Sequence, residues 1–413
     1  MNMPLQHRRD AVFGAGSPLF YAEPLHIVSG QGVKLRDAKG KEYVDMYNNV
    51  PCVGHCHPHV VSAIQSQVSQ LNIHNRYLHE AIIDYGERLI EKHSARMENV
   101  VFSCTGTEAN EVALQMAKTA TGCRGFVCTD AAYHGNSNEV RKLNRPSDPH
   151  GEYRSIPFPE TYRCEASQPL DYFIDHLNAT IASFDKDNIP FAGMVICPIL
   201  ANEGLPNIPA RFMQMATDLV HEHGGLVIAD EVQAGLCRTG EWWGYESEGF
   251  CPDIVSMGKP LGAGIPLAAT AASRAIVESF RKQSRYFNTF ASSPLQAVAG
   301  MAVLDVLDSE KLAENSTKVG KWLRRSLQEV LGDHPSVGQV RGRGLFIAIE
   351  WVKDRITKEP DRSGALQMVE LLKANGYLIG AAGRLGNVLK LRPPLVFNMQ
   401  DAQALVTTIK EIF

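Results

Sequence analysis

Short apolar runs alternate with amphipathic stretches through the middle of the chain. Five runs have the length and the sharp ends of buried strands: NVVFS at 99–103, GFVC at 125–128, GMVIC at 193–197, GLVIAD at 225–230 and DIVSM at 253–257. Between them, apolar residues recur every three or four positions, as in 108–120 and 210–224, and this spacing predicts helices. Repeated strand–helix alternation predicts an α/β fold with a mostly parallel central sheet covered by helices.

Both ends of the chain have a different pattern. Residues 27–47 alternate with turn-forming glycines, as antiparallel strands do. Further along, helical and strand-like stretches follow one another, at 295–330 (helical), 340–351 (strand), 363–375 (helical) and 386–391 (strand). We therefore predict a large domain over 59–294 and a smaller α+β domain made from 1–58 and 295–413.

Composition limits the class of protein. The 413 residues are 44% hydrophobic and 21% charged, which is typical of a globular enzyme. Forty-one basic against 45 acidic side chains leave a net charge of -4, so neither a nucleic-acid partner nor a membrane-surface partner is expected. No stretch approaches the roughly 18 apolar residues of a membrane span, and MNMPLQHRRD has no apolar signal core. We expect a cytoplasmic protein whose nine cysteines are free thiols.

A small polar segment follows the first of the five predicted strands. Thr105, Gly106 and Thr107 stand just before the predicted helix. Free backbone N–H groups, hydroxyls and the positive end of the helix dipole bind phosphate at such a position. By itself the segment is better explained by a plain N-cap, in which a threonine hydroxyl accepts a backbone hydrogen bond.

A carboxylate and a lysine follow two later strands. Asp230 ends one run, and Lys259 follows the next between glycines. The carboxyl ends of parallel strands meet at one edge of a sheet, where ligands bind. Pyridoxal 5'-phosphate (PLP) requires a lysine for its Schiff base, an acid that keeps its pyridine nitrogen protonated, and a phosphate cup. The combination predicts a PLP enzyme, and both intact side chains argue against a non-catalytic binding protein.

Over nearly its whole length the chain resembles the class III aminotransferases, which are PLP enzymes of fold type I. The matching motifs are TGTEANEVAL (105–114), AAYHG (131–135), IADEVQAGLCRTG (228–240), MGKPLGAGIP (257–266), YFNTF (286–290) and RGRGLF (341–346). The resemblance implies that Lys259 and Asp230 are catalytic. It implies cofactor binding by Thr105, Gly106, Thr107, Tyr133, His134, Asp230, Val232, Gln233, Lys259 and Thr289.

The resemblance also implies individual roles around the cofactor. Tyr133 stacks on the ring, Val232 covers its other face and Gln233 lies near the ring hydroxyl; a buried core tyrosine is the alternative for Tyr133. Thr289 reaches the phosphate of the neighbouring subunit's cofactor. A homodimer with shared active sites, or a tetramer containing it, is therefore expected. The Cys- and His-rich segment 52–59 lacks a second ligand pair, so no metal is expected.

The chain departs from the family where the substrate's carboxylate is bound. Lys390 stands where ordinary members have an arginine before a Pro-Pro pair, and lysine lacks the planar fork of arginine. Cys197 stands at the place of a family glutamate, and Glu203 is too far along to be expected to replace it. The pattern resembles the subgroup that contains the ethanolamine-phosphate phospho-lyases. There Lys390, helped by Arg392 or Arg76, suits a phosphate dianion.

Two reactions therefore remain open. The first hypothesis is an aminotransferase that moves an amino group from a primary amine or ω-amino compound to a keto acid through a Schiff base on Lys259. The second is a phospho-lyase that eliminates phosphate from an amino-alkyl phosphate such as phosphoethanolamine. The sequence does not identify the substrate.

Overall fold

The computed structural model describes residues 4–94 and 96–412, which form an α/β structure of sixteen strands and twelve α-helices. In chain order the strands are β1 (Ile27–Gln31), β2 (Lys34–Asp37), β3 (Glu42–Asp45), β4 (Asn99–Ser103), β5 (Gly125–Thr129), β6 (Tyr153–Ile156), β7 (Phe191–Ile196), β8 (Leu226–Asp230), β9 (Ile254–Met257), β10 (Ala268–Ala272), β11 (Val337–Arg343), β12 (Phe346–Asp354), β13 (Glu359–Pro360), β14 (Tyr377–Leu378), β15 (Gly380–Ala382) and β16 (Val388–Leu391). The helices are α1 (Leu5–Phe13), α2 (Pro58–Val68), α3 (Glu80–Glu91), α4 (Gly106–Thr121), α5 (Pro169–Lys186), α6 (Phe212–Glu222), α7 (Gly244–Glu248), α8 (Arg274–Gln283), α9 (Pro294–Ser309), α10 (Leu312–Leu331), α11 (Arg362–Ala374) and α12 (Met399–Ile412).

The central sheet has seven strands in the order β4-β10-β9-β8-β7-β5-β6. The pairs from β9 to β6 are parallel, whereas β10 runs antiparallel to both β4 and β9. Every residue of β5, β7 and β9 is buried, as expected for strands covered on both faces. The predicted mostly parallel α/β fold is confirmed, and the five predicted runs form β4, β5, β7, β8 and β9.

Two strands of this sheet have no counterpart in the sequence prediction. The AATAA sequence of β10 is fully buried between β4 and β9, but alanine is not typical of strands. In β6, Arg154 interrupts the apolar pattern. Its buried guanidinium is stabilised by an ion pair with Asp187 at 2.7 Å and by its position over the Phe184 ring. Long-range pairing therefore overrides local preference in both strands.

Two smaller sheets come from the ends of the chain. β1, β2 and β3 pair antiparallel, and β14 joins β3 in parallel. The other sheet has the order β11-β12-β16-β15, with β13 against β12. The segment 340–351, predicted to contain one strand, is part of a hairpin that turns at Gly344, where φ is +52°. The proposed domain boundaries near residues 58 and 294 stay a prediction.

A small apolar cluster joins the C-terminal sheet to the edge of the central sheet. Its buried members are Cys197, Ile199, Ala201, Leu205, Ala234, Phe346, Ala348 and Val388. The first five belong to segments that follow β7 and β8, and the last three belong to β12 and β16. This packing brings β16, which carries Lys390, against the carboxyl edge of the central sheet.

The Cys- and His-rich segment has structural partners. His55, His57 and His59 contact three different carboxylates, those of Asp45, Glu310 and Asp305, at 2.8–2.9 Å. Within residues 4–94 and 96–412 no group of three or more His, Cys, Asp or Glu side chains is arranged to hold a metal. All nine cysteines are free. The same ranges contain no helix that is both long enough and apolar enough to span a membrane.

The contact between α9 and α3 depends on a glycine. A Cβ atom on Gly300 would lie 2.4 Å from Cζ of the buried Tyr85 ring. We expect Gly300→Ala to lower the free energy of unfolding by about 1–3 kcal/mol through overpacking, measured by chemical denaturation.

Gly86→Ala in α3 is the matched control for this helix contact. Its new Cβ would meet no atom closer than 3.5 Å, so the change should be neutral or stabilising by up to about 1 kcal/mol. Equal destabilisation by the two substitutions would contradict the packing argument.

Candidate active site

Asp230 ends the central strand β8 and is buried. Its Oδ2 accepts a hydrogen bond from Asn110 Nδ2 (3.0 Å) and lies 2.7 Å from Nδ1 of His134, while Oδ1 accepts one from the Val232 N–H (3.0 Å). Burial raises the pKa of Asp230, but the hydrogen bond and charge of His134 outweigh burial, so the pKa lies below its ordinary value. The sheet edge therefore holds a fixed, ionised carboxylate.

Lys259 follows the neighbouring strand β9, in a single 3₁₀ turn over Lys259–Gly262. Asp230 pairs with Ser256 across β8 and β9, which places the carboxylate and the lysine on adjacent strand ends. Although its side chain remains accessible to solvent within the cleft, desolvation lowers the pKa of Lys259; the charge of Asp230 opposes this effect and that of Arg392 adds to it. A lowered pKa increases the fraction of nucleophilic amine.

Two glycines allow the segments that follow β4, β8 and β9 to approach each other. A Cβ on Gly106 would lie 2.8 Å from Cγ1 of Val232, and a Cβ on Gly258 would lie 3.2 Å from Cα of Gly106. The backbone at the N-terminus of α4 is therefore open beside Val232, because a side chain at either glycine would fill this space. A flat, phosphate-bearing group fits the surrounding donor set: a helix N-terminus, a carboxylate and an amine.

The two threonines of the predicted phosphate cup differ. Thr105 is the N-cap of α4, because its Oγ1 accepts the Glu108 N–H at 3.2 Å. The plain N-cap interpretation therefore accounts for its side chain. Thr107 lies in the first turn, and its hydroxyl donates to Oδ1 of Asn136 at 3.3 Å. Since the first N–H groups of a helix have no partner within it, this turn can bind an anion through its backbone.

Tyr133 and His134 lie in the segment after β5. The Tyr133 side chain is 50% exposed, which is against the alternative of a buried core tyrosine. His134 is buried, and its Nε2 has no hydrogen-bond partner in the described structure. Asn110 donates to the His134 carbonyl oxygen at 2.7 Å, so one asparagine of α4 holds both this segment and Asp230.

Lys390 and Arg392 are buried at the end of β16, facing the segments that follow β7 and β8. Lys390 Nζ donates to the Ala201 carbonyl oxygen at 3.0 Å. The Arg392 guanidinium donates to Gln233 Oε1 and to the Tyr47 carbonyl oxygen, and it lies 4.5 Å from the centroid of the Tyr47 ring. All of these acceptors are neutral. Desolvation, reinforced by the charge of Arg392, lowers the pKa of Lys390 well below its ordinary value.

Arg76 and Thr289 lie on two adjacent exposed loops. The Arg76 guanidinium lies 3.9 Å from the centroid of the Phe287 ring, and Thr289 follows two residues later. The other site residues predicted from the sequence lie around Asp230, Lys259 and Arg392. The predicted roles of Arg76 toward substrate and of Thr289 toward a neighbouring subunit's cofactor stay predictions.

Two polar residues after β7 received no role from the sequence: Asn202 was missed, and Glu203 was expected to lie too far along the chain to replace the family glutamate. Glu203 is buried, accepts a hydrogen bond from the Thr129 hydroxyl and has no partner for its Oε2 in the described structure; burial raises its pKa. Asn202 donates to the Tyr133 carbonyl oxygen at 2.9 Å and accepts from Gln233 Nε2 at 2.9 Å. They lie in an irregular loop, where no periodic pattern indicates a structural role. The one available signal was that two adjacent polar residues interrupt an apolar segment.

Comparison with known proteins agrees with this geometry. Residues 21–413 match the family described as aminotransferase class-III. The chain is 37% identical to alanine–glyoxylate aminotransferase 2 homolog 2, mitochondrial, of Arabidopsis thaliana, over 94% of this chain and 82% of that protein. It is 31% identical to ethanolamine-phosphate phospho-lyase homolog 1 of Caenorhabditis elegans, over 99% and 92%. A solved phospholyase from Arthrobacter in complex with phosphoethanolamine has a TM-score of 0.95 and 36% identity, covering 99% of both chains.

The chain therefore belongs to the class III aminotransferase family, whose members are PLP-dependent enzymes, and its fold is the PLP fold type I. The relatives include both transaminases and phospho-lyases. The predicted family and the predicted enzyme class are confirmed.

Gly106→Ala tests the cradle directly. The new Cβ would press against Val232, so we expect affinity for PLP to fall by at least about tenfold, which corresponds to the loss of about 1.4 kcal/mol of binding free energy. Cofactor fluorescence during titration of the apoprotein measures it.

Thr105→Ala is the contrasting variant. Loss of the N-cap should lower the free energy of unfolding by about 0.5–2 kcal/mol and reduce PLP affinity less than Gly106→Ala does. A larger loss of affinity in Thr105→Ala than in Gly106→Ala would contradict these assignments.

Proposed function

We propose that this chain binds PLP at the carboxyl edge of the central sheet and transfers an amino group from a primary amine or ω-amino compound to a keto acid. The observation that carries the proposal is the placement of Lys259 and Asp230 on adjacent strand ends beside the backbone cradle at Gly106. When bound, PLP supplies an electron sink for the substrate's amine-bearing carbon.

Each role in the proposed reaction is assigned to particular residues of the chain. Asp230, held ionised by His134 and Asn110, keeps the ring nitrogen protonated. Lys259 would hold the cofactor covalently and would move the proton at the substrate's amine-bearing carbon, because its lowered pKa supplies a neutral amine. Tyr133 and Val232 would hold the ring of the cofactor, and the first turn of α4 would hold its phosphate.

Phosphate elimination is a second candidate, and the pair Lys390 and Arg392 favours it. The Arg392 guanidinium is buried against neutral acceptors, and Lys390, whose pKa is lowered, would take up a proton when an anionic substrate group supplies the missing counter-charge. A compact ammonium beside a guanidinium suits a phosphate dianion, whereas a planar arginine fork is the usual partner of a carboxylate. Similarity to the Arthrobacter phospholyase supports the same reaction.

The same proposal includes a homodimer, because the loops of Arg76 and Thr289 expose apolar side chains. Exposed apolar side chains crowd the loops of Arg76 and Thr289: Tyr77 is 61%, Leu78 96% and Phe290 71% exposed. Such a cluster is typical of a surface covered by a partner, here a second copy of the chain. In such a dimer Thr289 would reach the phosphate of the other subunit's cofactor. A cytoplasmic location is proposed from the sequence alone.

One assay separates the two reactions. The enzyme is incubated with phosphoethanolamine and no keto acid, and inorganic phosphate is measured. Steady turnover would contradict the pure transaminase, whereas no release together with pyruvate-dependent consumption of an amine from a panel would exclude the lyase. Lys259→Ala should lose either activity by at least about a thousandfold, because both reactions need its proton transfer and its Schiff base.

Anion binding should take up protons. Burial and Arg392 lower the pKa of Lys390, with Lys259 adding to this effect and Cys197 and Glu203 opposing it, so the free site holds fewer protons than the anion-bound one. We therefore expect inorganic sulfate, which stays a dianion, to bind with proton uptake and to bind more weakly as pH rises. Calorimetry in two buffers of different ionisation enthalpy measures both effects.

Lys390→Met keeps an unbranched side chain that is one atom shorter and removes its charge. We expect it to abolish the proton uptake and to weaken sulfate binding by about tenfold or more, since a hydrogen bond to a charged group contributes about 1.5–3 kcal/mol. Lys321→Met, on the exposed face of α10, is the matched control. Unchanged affinity and uptake in Lys390→Met would refute the role of this lysine.

A further inference from the structure

A continuous row of hydrogen bonds connects the buried Arg392 to the segment that carries Tyr133. The guanidinium donates to Gln233 Oε1, Gln233 Nε2 donates to Asn202 Oδ1 at 2.9 Å, and Asn202 Nδ2 donates to the Tyr133 carbonyl oxygen at 2.9 Å. Arg392 directly follows β16, Gln233 and Asn202 come from the segments after β8 and β7, and Tyr133 comes from the segment after β5. Four distant parts of the chain therefore meet in one row.

The direction of every bond in this row is fixed by its first member. A guanidinium has donors only, so the atom of Gln233 that faces Arg392 must be its oxygen. The amide nitrogen of Gln233 then faces Asn202, whose oxygen must accept, and whose own nitrogen is left to donate to a backbone carbonyl. A side chain at position 202 must therefore offer one acceptor and one donor in opposite directions, which asparagine does and aspartate does not.

We propose that Asn202 is a positioning residue that couples an anionic substrate group at Arg392 to the placement of Gln233 and Tyr133 at the cofactor. The proposal rests on the function proposed above. An anion that draws the Arg392 guanidinium toward itself changes the bond to Gln233, and Asn202 passes the displacement to the Tyr133 backbone. Charge-assisted hydrogen bonds are the strongest in such a row, so the arginine end controls it.

The other contacts of these residues favour a coupled movement. Asn49 Nδ2 donates to the Gln233 carbonyl oxygen at 3.1 Å, which fixes the Gln233 backbone and leaves its side chain as the moving part. The Tyr133 ring is half exposed, so it can adjust when Asn202 shifts the peptide between Tyr133 and His134, whose N–H donates to Asn144 Oδ1 at 2.8 Å. Asn202 hydrogen-bonds to the Gln233 side chain and to the Tyr133 carbonyl oxygen, and it therefore acts through these two neighbours.

The test uses holoenzyme saturated with PLP and inorganic sulfate as the anion. Calorimetry measures sulfate affinity, and visible circular dichroism of the cofactor measures its placement. In the wild type we expect saturating sulfate to change the dichroism band. In Asn202→Ala and Asn202→Asp we expect sulfate affinity within about fivefold of wild type, the lower limit of typical coupling factors, and a dichroism change below a third of the wild-type change.

The two substitutions separate the two bonds. Asn202→Asp keeps the acceptor for Gln233 and loses the donor to Tyr133, whereas Asn202→Ala loses both. For each, kcat should fall about tenfold to a hundredfold while KM changes less, since misplacement near the chemistry lowers the rate more than binding. Asn178→Asp, on an exposed face of α5, makes the same chemical change far from the row and should behave as wild type.

The outcomes are distinguishable. A full wild-type dichroism response to sulfate in both Asn202 variants would overturn the coupling while leaving PLP binding intact. A wild type that binds sulfate with no dichroism change would also overturn it. Failure of the wild type to bind PLP at all would instead refute the proposed function, and the coupling with it. Thermal unfolding of the variants checks that each retains the fold.

Discussion

A carboxylate removed from water must have its charge compensated by hydrogen bonds, because leaving it unpaired costs several kcal/mol. At Asp230 this compensation comes from Asn110 on α4, from His134 after β5 and from the backbone of Val232. Each partner belongs to a segment that also forms a wall of the candidate cofactor site. The requirement to satisfy one buried charge therefore aligns the helix N-terminus, the aromatic segment and the apolar wall at the same sheet edge.

The residue beside Asp230 shows how strongly local partners decide the state of a carboxyl group. Glu231 is also buried, and it accepts the N–H groups of Gly244 and Tyr245 at the start of α7. Burial outweighs these bonds and raises the pKa of Glu231 to about 8, whereas His134 holds the pKa of Asp230 below its ordinary value. Neighbouring acids thus serve different purposes: Glu231 fastens a helix, and Asp230 provides a fixed negative charge in the cleft.

The sequence predicted those parts of the molecule that follow from local pattern. Strands β4, β5, β7, β8 and β9 were predictable because fully buried parallel strands are continuous apolar runs. Because these strands follow one another along the chain in parallel, the sequence also predicted that Lys259 and Asp230 lie at the same edge of the central sheet. β10 was missed because its alanines carry little strand preference and its position depends on pairing with β4.

The row of hydrogen bonds through Asn202 could not be predicted from the local sequence pattern, for a related reason. Its members come from residues 133, 202, 233 and 392, and their meeting depends on how β16 packs on the loops of the central sheet. The resemblance to a family implied separate roles for Gln233 and Arg392, but the hydrogen bond between them depends on tertiary packing. Glu203 shows the same limit, since only folding reveals that its carboxyl group is buried beside Thr129.

The candidate site contains charge that the protein alone leaves poorly compensated. Lys390 and Arg392 are buried against neutral oxygens, and Nε2 of His134 and Oε2 of Glu203 are buried without partners in the described structure. Such groups lower folding stability unless something else satisfies them. An anionic group bound beside Lys390 and Arg392, close to Lys259, would accept their hydrogen bonds and supply the counter-charge that these two side chains lack. The same residues that reduce stability would therefore contribute binding energy for the anionic substrate proposed above.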